Sequence, residues 1–217
     1  MNSLKSASGA VLTAVHTPPD GPVAVLVLHG GSADSTLPVP RFSPAALRLA
    51  PVAWALARGV PGVAVYRLRN SVRGWNGDGA AVLGDARWAV ERILAARPGA
   101  SIVVVGHSLG GRVAAHLAAE APVVGAVGLA PWLEPGDPVS GLREVPIAIV
   151  QGGLDRMIST RSTEVWLSRA AEAGAPIRRA EVSRGGHAML RYARRWHRLC
   201  VDGVCWVLEE ARVAKSP

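Results

Sequence analysis

Cysteine and lysine are both scarce in this chain of 217 residues. Cysteine occurs only as Cys200 and Cys205. Five positions apart on a predicted helix, the two side chains point in different directions. That excludes a disulfide between them and predicts buried free thiols in a reducing compartment. Lysine occurs only at positions 5 and 215, so 22 of the 24 Lys and Arg residues are arginine, and the formal charge is +8. No run of about 20 apolar residues exists, which excludes a spanning helix; no membrane partner is expected. The early stretch AVLTAV (10–15) is too short for a signal h-region, and no cleavage site follows it. The expected location is the cytoplasm. Internal repeats, low-complexity tracts and linkers are also lacking, so 1–217 is expected to form a single domain.

What is present points to a folded chain. A 49% hydrophobic fraction against 18% charged residues excludes disorder. The arginines are spread along the sequence, with one dense group at Arg191, Arg194, Arg195 and Arg198. Met189, Tyr192, Trp196, Leu199 and Cys200 recur at helical spacing through the same segment, which makes these arginines a solvated helix face. No nucleic-acid recognition module accompanies them, and no nucleic-acid partner is expected.

Seven short β-branched runs lie at 10–15, 23–28, 63–68, 101–105, 123–129, 146–151 and 177–182. Most are apolar throughout, as in strands buried on both faces of a parallel sheet. Helical patterns fill the gaps at 43–58, 80–96, 109–120, 160–173 and 188–211. The first opens on Ser43-Pro44, a cap followed by proline at the first helical position, and Pro51 is expected to kink or divide it. Strands alternating with helices define an α/β chain with a mostly parallel sheet of about seven strands.

Within that pattern, SIVVVGHSLGGR (101–112) places Ser108 where a buried strand ends and a helix begins. The G-x-S-x-G pattern alone is short enough to arise by chance, so its context decides. Flanking glycines allow the sharp turn that exposes a serine hydroxyl above a sheet. The hydroxyl needs a base, and a carboxylate must orient that base, in the chain order serine, acid, histidine. Of six histidines, only His187 falls in a loop between the last strand and the last helix, within SRGGHAML. Asp155, after the strand at 146–151, is the expected acid. Glu134 and Asp137, after the preceding strand, are its competitors, although a proline-rich turn accounts for them. For the oxyanion, the expected donors are the backbone N–H groups of Leu109 and Gly31, with Ser32 as the fallback.

With these residues in place, HGG (29–31), GHSLGG (106–111), GGLDRMI (152–158) and GGHAML (185–190) resemble the α/β-hydrolase family. The resemblance is nearest to small, lidless bacterial members of the dienelactone-hydrolase-like kind, although those proper use cysteine as the nucleophile. It implies a sheet flanked by helices on both faces and a Ser108–His187–Asp155 triad. The reaction it implies is cleavage of a carboxylic ester or thioester of a small-molecule substrate, without metal or cofactor. Acyl transfer, peptidase chemistry or a catalytically silent binding role are the alternatives. Only about 13 residues (133–145) separate two strands where many relatives insert a lid, so an open site without interfacial activation is expected. The segment YRLRNSVRGWNGDG (66–79) supplies Arg69, Arg73 and Trp75, either as a clamp for an anionic substrate or as structural residues. Trp132 is a further candidate for the pocket wall. Oligomeric state is left open.

Overall fold

The computed structural model describes residues 3–19 and 21–214. Among these residues, eight strands form one sheet: β1 (Ser3–Lys5), β2 (Val11–His16), β3 (Val23–Leu28), β4 (Val63–Arg69), β5 (Ser101–His107), β6 (Val123–Leu129), β7 (Ile147–Gly152) and β8 (Ile177–Val182). Their spatial order is β1-β2-β4-β3-β5-β6-β7-β8; the β1–β2 and β2–β4 pairings are antiparallel and the other five are parallel. Seven of these coincide with the runs read from the sequence. The eighth, β1, is three exposed residues at the sheet edge, too short to leave a hydrophobic pattern.

Among the described residues, five helices cover the two faces: α1 (Pro44–Gly59), α2 (Ala80–Ala96), α3 (Leu109–Ala118), α4 (Thr160–Glu172) and α5 (Ala193–Val213). Because side chains alternate along a strand, each central strand feeds both layers. Ala24, Leu26 and Leu28 of β3, with Ile102 and Val104 of β5, pack in the layer that holds α2, α3 and Trp166 of α4. Val25, Val27, Val103 and Val105 point the other way, to Leu49 and Leu56 of α1 and to Trp196, Cys200 and Val204 of α5. Apolar runs without alternation are what this two-sided burial demands, at about 1.5–3 kcal/mol for each large side chain removed from water. No helix among the described residues is long and apolar enough to cross a membrane.

Two helix expectations need correction. Helix α1 runs undivided through Pro51, which stands on its exposed side. The buried stripe Leu49, Val52, Ala53 and Leu56 holds the helix on the sheet, so the hydrogen bond that proline forfeits is lost only at the solvent face. Helix α5 begins at Ala193, five residues later than predicted, because Met189 and Tyr192 take positive φ angles of 58° and 61°. The cysteines are free, as expected, but only Cys200 is fully buried, and burial pushes its thiol up to about 12.

The strand order fixes where a site can lie. From β3 the chain crosses through α1 to β4 on one face, and from β5 through α3 to β6 on the other. The loops leaving β3 and β5 therefore diverge at the carboxyl edge and leave a crevice between them.

Candidate active site

Strand β5 ends in a strained backbone turn. Ser108 has φ 54° and ψ −120°, outside the helical and extended regions, at a cost of about 1–3 kcal/mol. Glycine makes this turn possible: a Cβ on Gly106 would lie 2.0 Å from the Gly110 carbonyl oxygen. The surroundings hold the strained residue, since the Ser108 N–H donates to the Leu129 carbonyl at 3.2 Å and its own carbonyl accepts from Trp132 at 3.0 Å. Leu109 is the first residue of α3, so no carbonyl within the helix lies in register for its N–H.

Two further side chains extend from the serine in series. His187 Nε2 lies 3.0 Å from Ser108 Oγ, and His187 Nδ1 lies 2.8 Å from Asp155 Oδ2. A carboxylate only accepts, so the ring proton sits on Nδ1 and Nε2 is left to accept from the serine hydroxyl. Asp155 has no side-chain exposure. Its Oδ1 accepts from the N–H groups of Met157 at 2.9 Å and Ile158 at 3.2 Å, and Gln151 Nε2 approaches Oδ2 at 3.3 Å. The two competitors are engaged elsewhere. Glu134 accepts from the Trp132 indole, and buried Asp137 takes both Nε and Nη2 of Arg112 at 3.0 and 2.7 Å. Burial alone would raise the Asp137 carboxyl, but hydrogen bonds from His116 and Arg112 hold it below its usual range.

The loop after β3 supplies the facing wall. Buried His29 accepts the Asn70 N–H at Nε2 (3.1 Å), so its proton is on Nδ1, which donates to the Gly30 carbonyl at 2.6 Å. Desolvation lowers the His29 pKa and keeps the ring neutral. With the Gly30 carbonyl pinned to that ring, the Gly31 N–H of the same trans peptide points away from it. Gly31 is packed closely enough that a Cβ would lie 2.2 Å from the Arg73 carbonyl. Ser32 is placed differently: its N–H donates to that Arg73 carbonyl at 3.0 Å and is already engaged.

Ser108 and His187 open into a cavity of about 1000 Å³, whose walls also include Gly31, Ser32, Arg73 and Trp132. Arg69 and Trp75 are not on those walls. Arg69 donates to the Val39 carbonyl, and its neighbour Arg67 donates to the Ala46 carbonyl. Trp75 is 4% exposed and packs against the Arg112 guanidinium, 4.2 Å from its ring. Loop 66–79 as a whole is tied down. Asn76 Oδ1 accepts from the Ser35 N–H at 2.7 Å, and Gly74 bridges to Ser32. Of the four candidates that suggested a clamp or pocket wall, two face the cavity and two brace the loop.

Two residues escaped the sequence reading. Arg48 of α1 lines the cavity, although nothing in its local pattern distinguishes it from other exposed helix arginines. His107, the variable position of the G-x-S-x-G pattern, donates through Nε2 to the His187 carbonyl at 2.8 Å and ties the histidine loop to β5. Burial depresses its pKa to about 4, so the ring stays neutral beside His187. Among the described residues, no three His, Cys, Asp or Glu side chains group as a metal site.

This sheet, elbow and crevice are those of a known family. Residues 25–212 match the model of the alpha/beta hydrolase family, and the chain belongs to it. Similar solved structures include an alpha-beta serine hydrolase homologue from Coxiella burnetii, with TM-score 0.73 and 16% identity over 94% of this chain and 96% of that one. A serine hydrolase without a lid from Xanthomonas campestris has TM-score 0.68 and 20% identity, covering 94% and 93% of the two chains. A thermophilic esterase from Thermogutta terrifontis with butyrate bound has TM-score 0.69 and 17% identity, covering 93% and 89%. At these identities the likeness is one of fold. No curated protein matches the chain in sequence. As in a lidless member, the connection from β6 to β7 contains no helix.

Proposed function

We propose that the protein is a serine hydrolase that cleaves a carboxylic ester or thioester through an acyl-enzyme. The observation that carries this reading is the continuous hydrogen-bonded chain from Ser108 Oγ through both nitrogens of His187 to Asp155. His187 Nε2 takes the serine proton as Oγ attacks the substrate carbonyl, and Asp155 stabilises the imidazolium that forms. The Leu109 and Gly31 N–H groups receive the developing oxyanion, each contributing about 10²–10³ in rate. The proton then passes from His187 to the leaving alcohol or thiol, and water resolves the acyl-enzyme by the reverse sequence. No metal or cofactor takes part. Substrate reaches the serine through the open cavity without displacing a cover, consistent with a small or medium-sized ester.

Brief exposure to a fluorophosphonate, followed by intact-mass analysis and peptide mapping, tests the proposal. One adduct on the peptide containing Ser108 is the expected result. An unmodified protein, or an adduct that persists in Ser108→Ala, would overturn it. Adding competing alcohols and amines during turnover distinguishes hydrolysis from acyl transfer by the products formed.

A further inference from the structure

Ten large hydrophobic side chains stand exposed on the described surface. Six of them, Leu37, Phe42, Leu154, Met157, Leu190 and Tyr192, lie on the three loops that also line the cavity. Phe42 is 72% exposed, Met157 77% and Leu190 74%, so these side chains project instead of packing. Arginine is interleaved with them as Arg41-Phe42, Arg156-Met157 and Leu190-Arg191-Tyr192. The Arg41 and Arg191 guanidinium groups each lie 5.5 Å from the adjacent ring.

Charge is concentrated at the same place. Segments 31–48, 153–162 and 183–195 contain eight arginines and two carboxylates, Asp34 and Asp155. Asp155 is committed to His187. Among the described residues, none of Arg41, Arg156, Arg184 and Arg191 forms an ion pair. Bulky apolar tips beside unpaired guanidinium groups suit the boundary where acyl chains meet phosphates.

We propose that the cavity-mouth face docks on an anionic phospholipid surface, with Phe42, Met157 and Leu190 entering the acyl boundary and Arg41, Arg156, Arg184 and Arg191 meeting the phosphates. A second copy of the chain is a poorer occupant, because a two-fold contact sets this excess of arginine against itself. A nucleic acid would satisfy the arginines and leave the apolar tips in water. The expectation of no membrane partner rests on the lack of a spanning helix, which does not bear on a peripheral contact. Docking sets the open cavity against the bilayer, so an ester in the lipid layer reaches Ser108 without a lid.

Sedimentation of the full chain with vesicles tests this directly. Binding is expected to phosphatidylcholine vesicles containing about a third phosphatidylglycerol and not to phosphatidylcholine alone. A tenfold rise in salt, which shortens the screening length about threefold, should release the protein. Combining R41E, R191E, F42S and L190S should weaken binding at least about tenfold. An off-face set, R92E, R178E, L4S and V165S, makes the same charge and apolar changes elsewhere and should leave binding within about twofold. No binding to the anionic vesicles, equal binding to neutral ones, equal loss in both variant sets, or a salt-sensitive self-association or DNA complex in place of vesicle binding would each overturn the proposal.

Discussion

The elbow at 106–111 and the loop at 66–79 begin alike and end differently. Both leave buried parallel strands at the same edge of the sheet, and both carry polar side chains among glycines. In the elbow, backbone packs on backbone, and the one hydroxyl it presents remains for His187. In the 66–79 segment, Arg67 and Arg69 at the end of β4 and Asn76 beyond it spend their donors on carbonyls of the 35–46 segment, and Trp75 is covered by Arg112. A polar residue near a cavity is available to a ligand only where the backbone has not already claimed it.

The comparison breaks if the two regions respond alike to substitution. The largest contrast is expected from Ser108→Ala, which should lower kcat by about 10⁴–10⁶ while urea unfolding stays close to wild type. Trp75→Ala should do the reverse. Losing a buried indole costs about 3–5 kcal/mol in urea unfolding, with kcat of the folded fraction little changed. A Trp75 variant of normal stability and altered substrate preference would return that residue to the site.

Acid sharpens the distinction through His107. Its folded pKa of about 4 lies below the ordinary value of 6.5, so between these values the unfolded chain binds a proton that the folded chain refuses. Stability therefore rises with pH across this window, and going from pH 7 to pH 4 should remove roughly 3 kcal/mol. Buried His29 is shifted in the same direction. Unfolding in urea at a series of pH values should show the slope, and His107→Gln should reduce it. The smallest effect belongs to Arg69→Met, which keeps the aliphatic stem and loses the bond to the Val39 carbonyl. About 1 kcal/mol of stability should go, with KM unchanged for neutral and anionic esters alike.

Two-sided burial made most of the fold legible, since β3, β5 and β6 must be apolar throughout when helices cover both faces. The edge strand β1 has no such requirement and left no pattern. Asp155 and His187 could be found from chain order because each follows a strand that ends at the same edge. What escaped depends on which loops meet in space. The bond from Asn70 that fixes the His29 tautomer, the His107 contact with the His187 carbonyl and the approach of Arg48 to the cavity span residues far apart in sequence. Arg69 shows the same limit from the other side, because a strand residue has two directions to point and the partner that decides lies 30 positions away.

The separation between Ser108 and His187 also bears on how the molecule comes together in time. The strained serine is held by Leu129 and Trp132 just downstream, whereas His187 reaches it across 79 residues. Closing the longer loop costs more entropy and waits on β7, β8 and α5. During refolding, protection of the β3 and β5 backbone amides from exchange should therefore precede reactivity toward a fluorophosphonate. A chain emerging from the ribosome would carry its elbow formed but unarmed until its last quarter had docked.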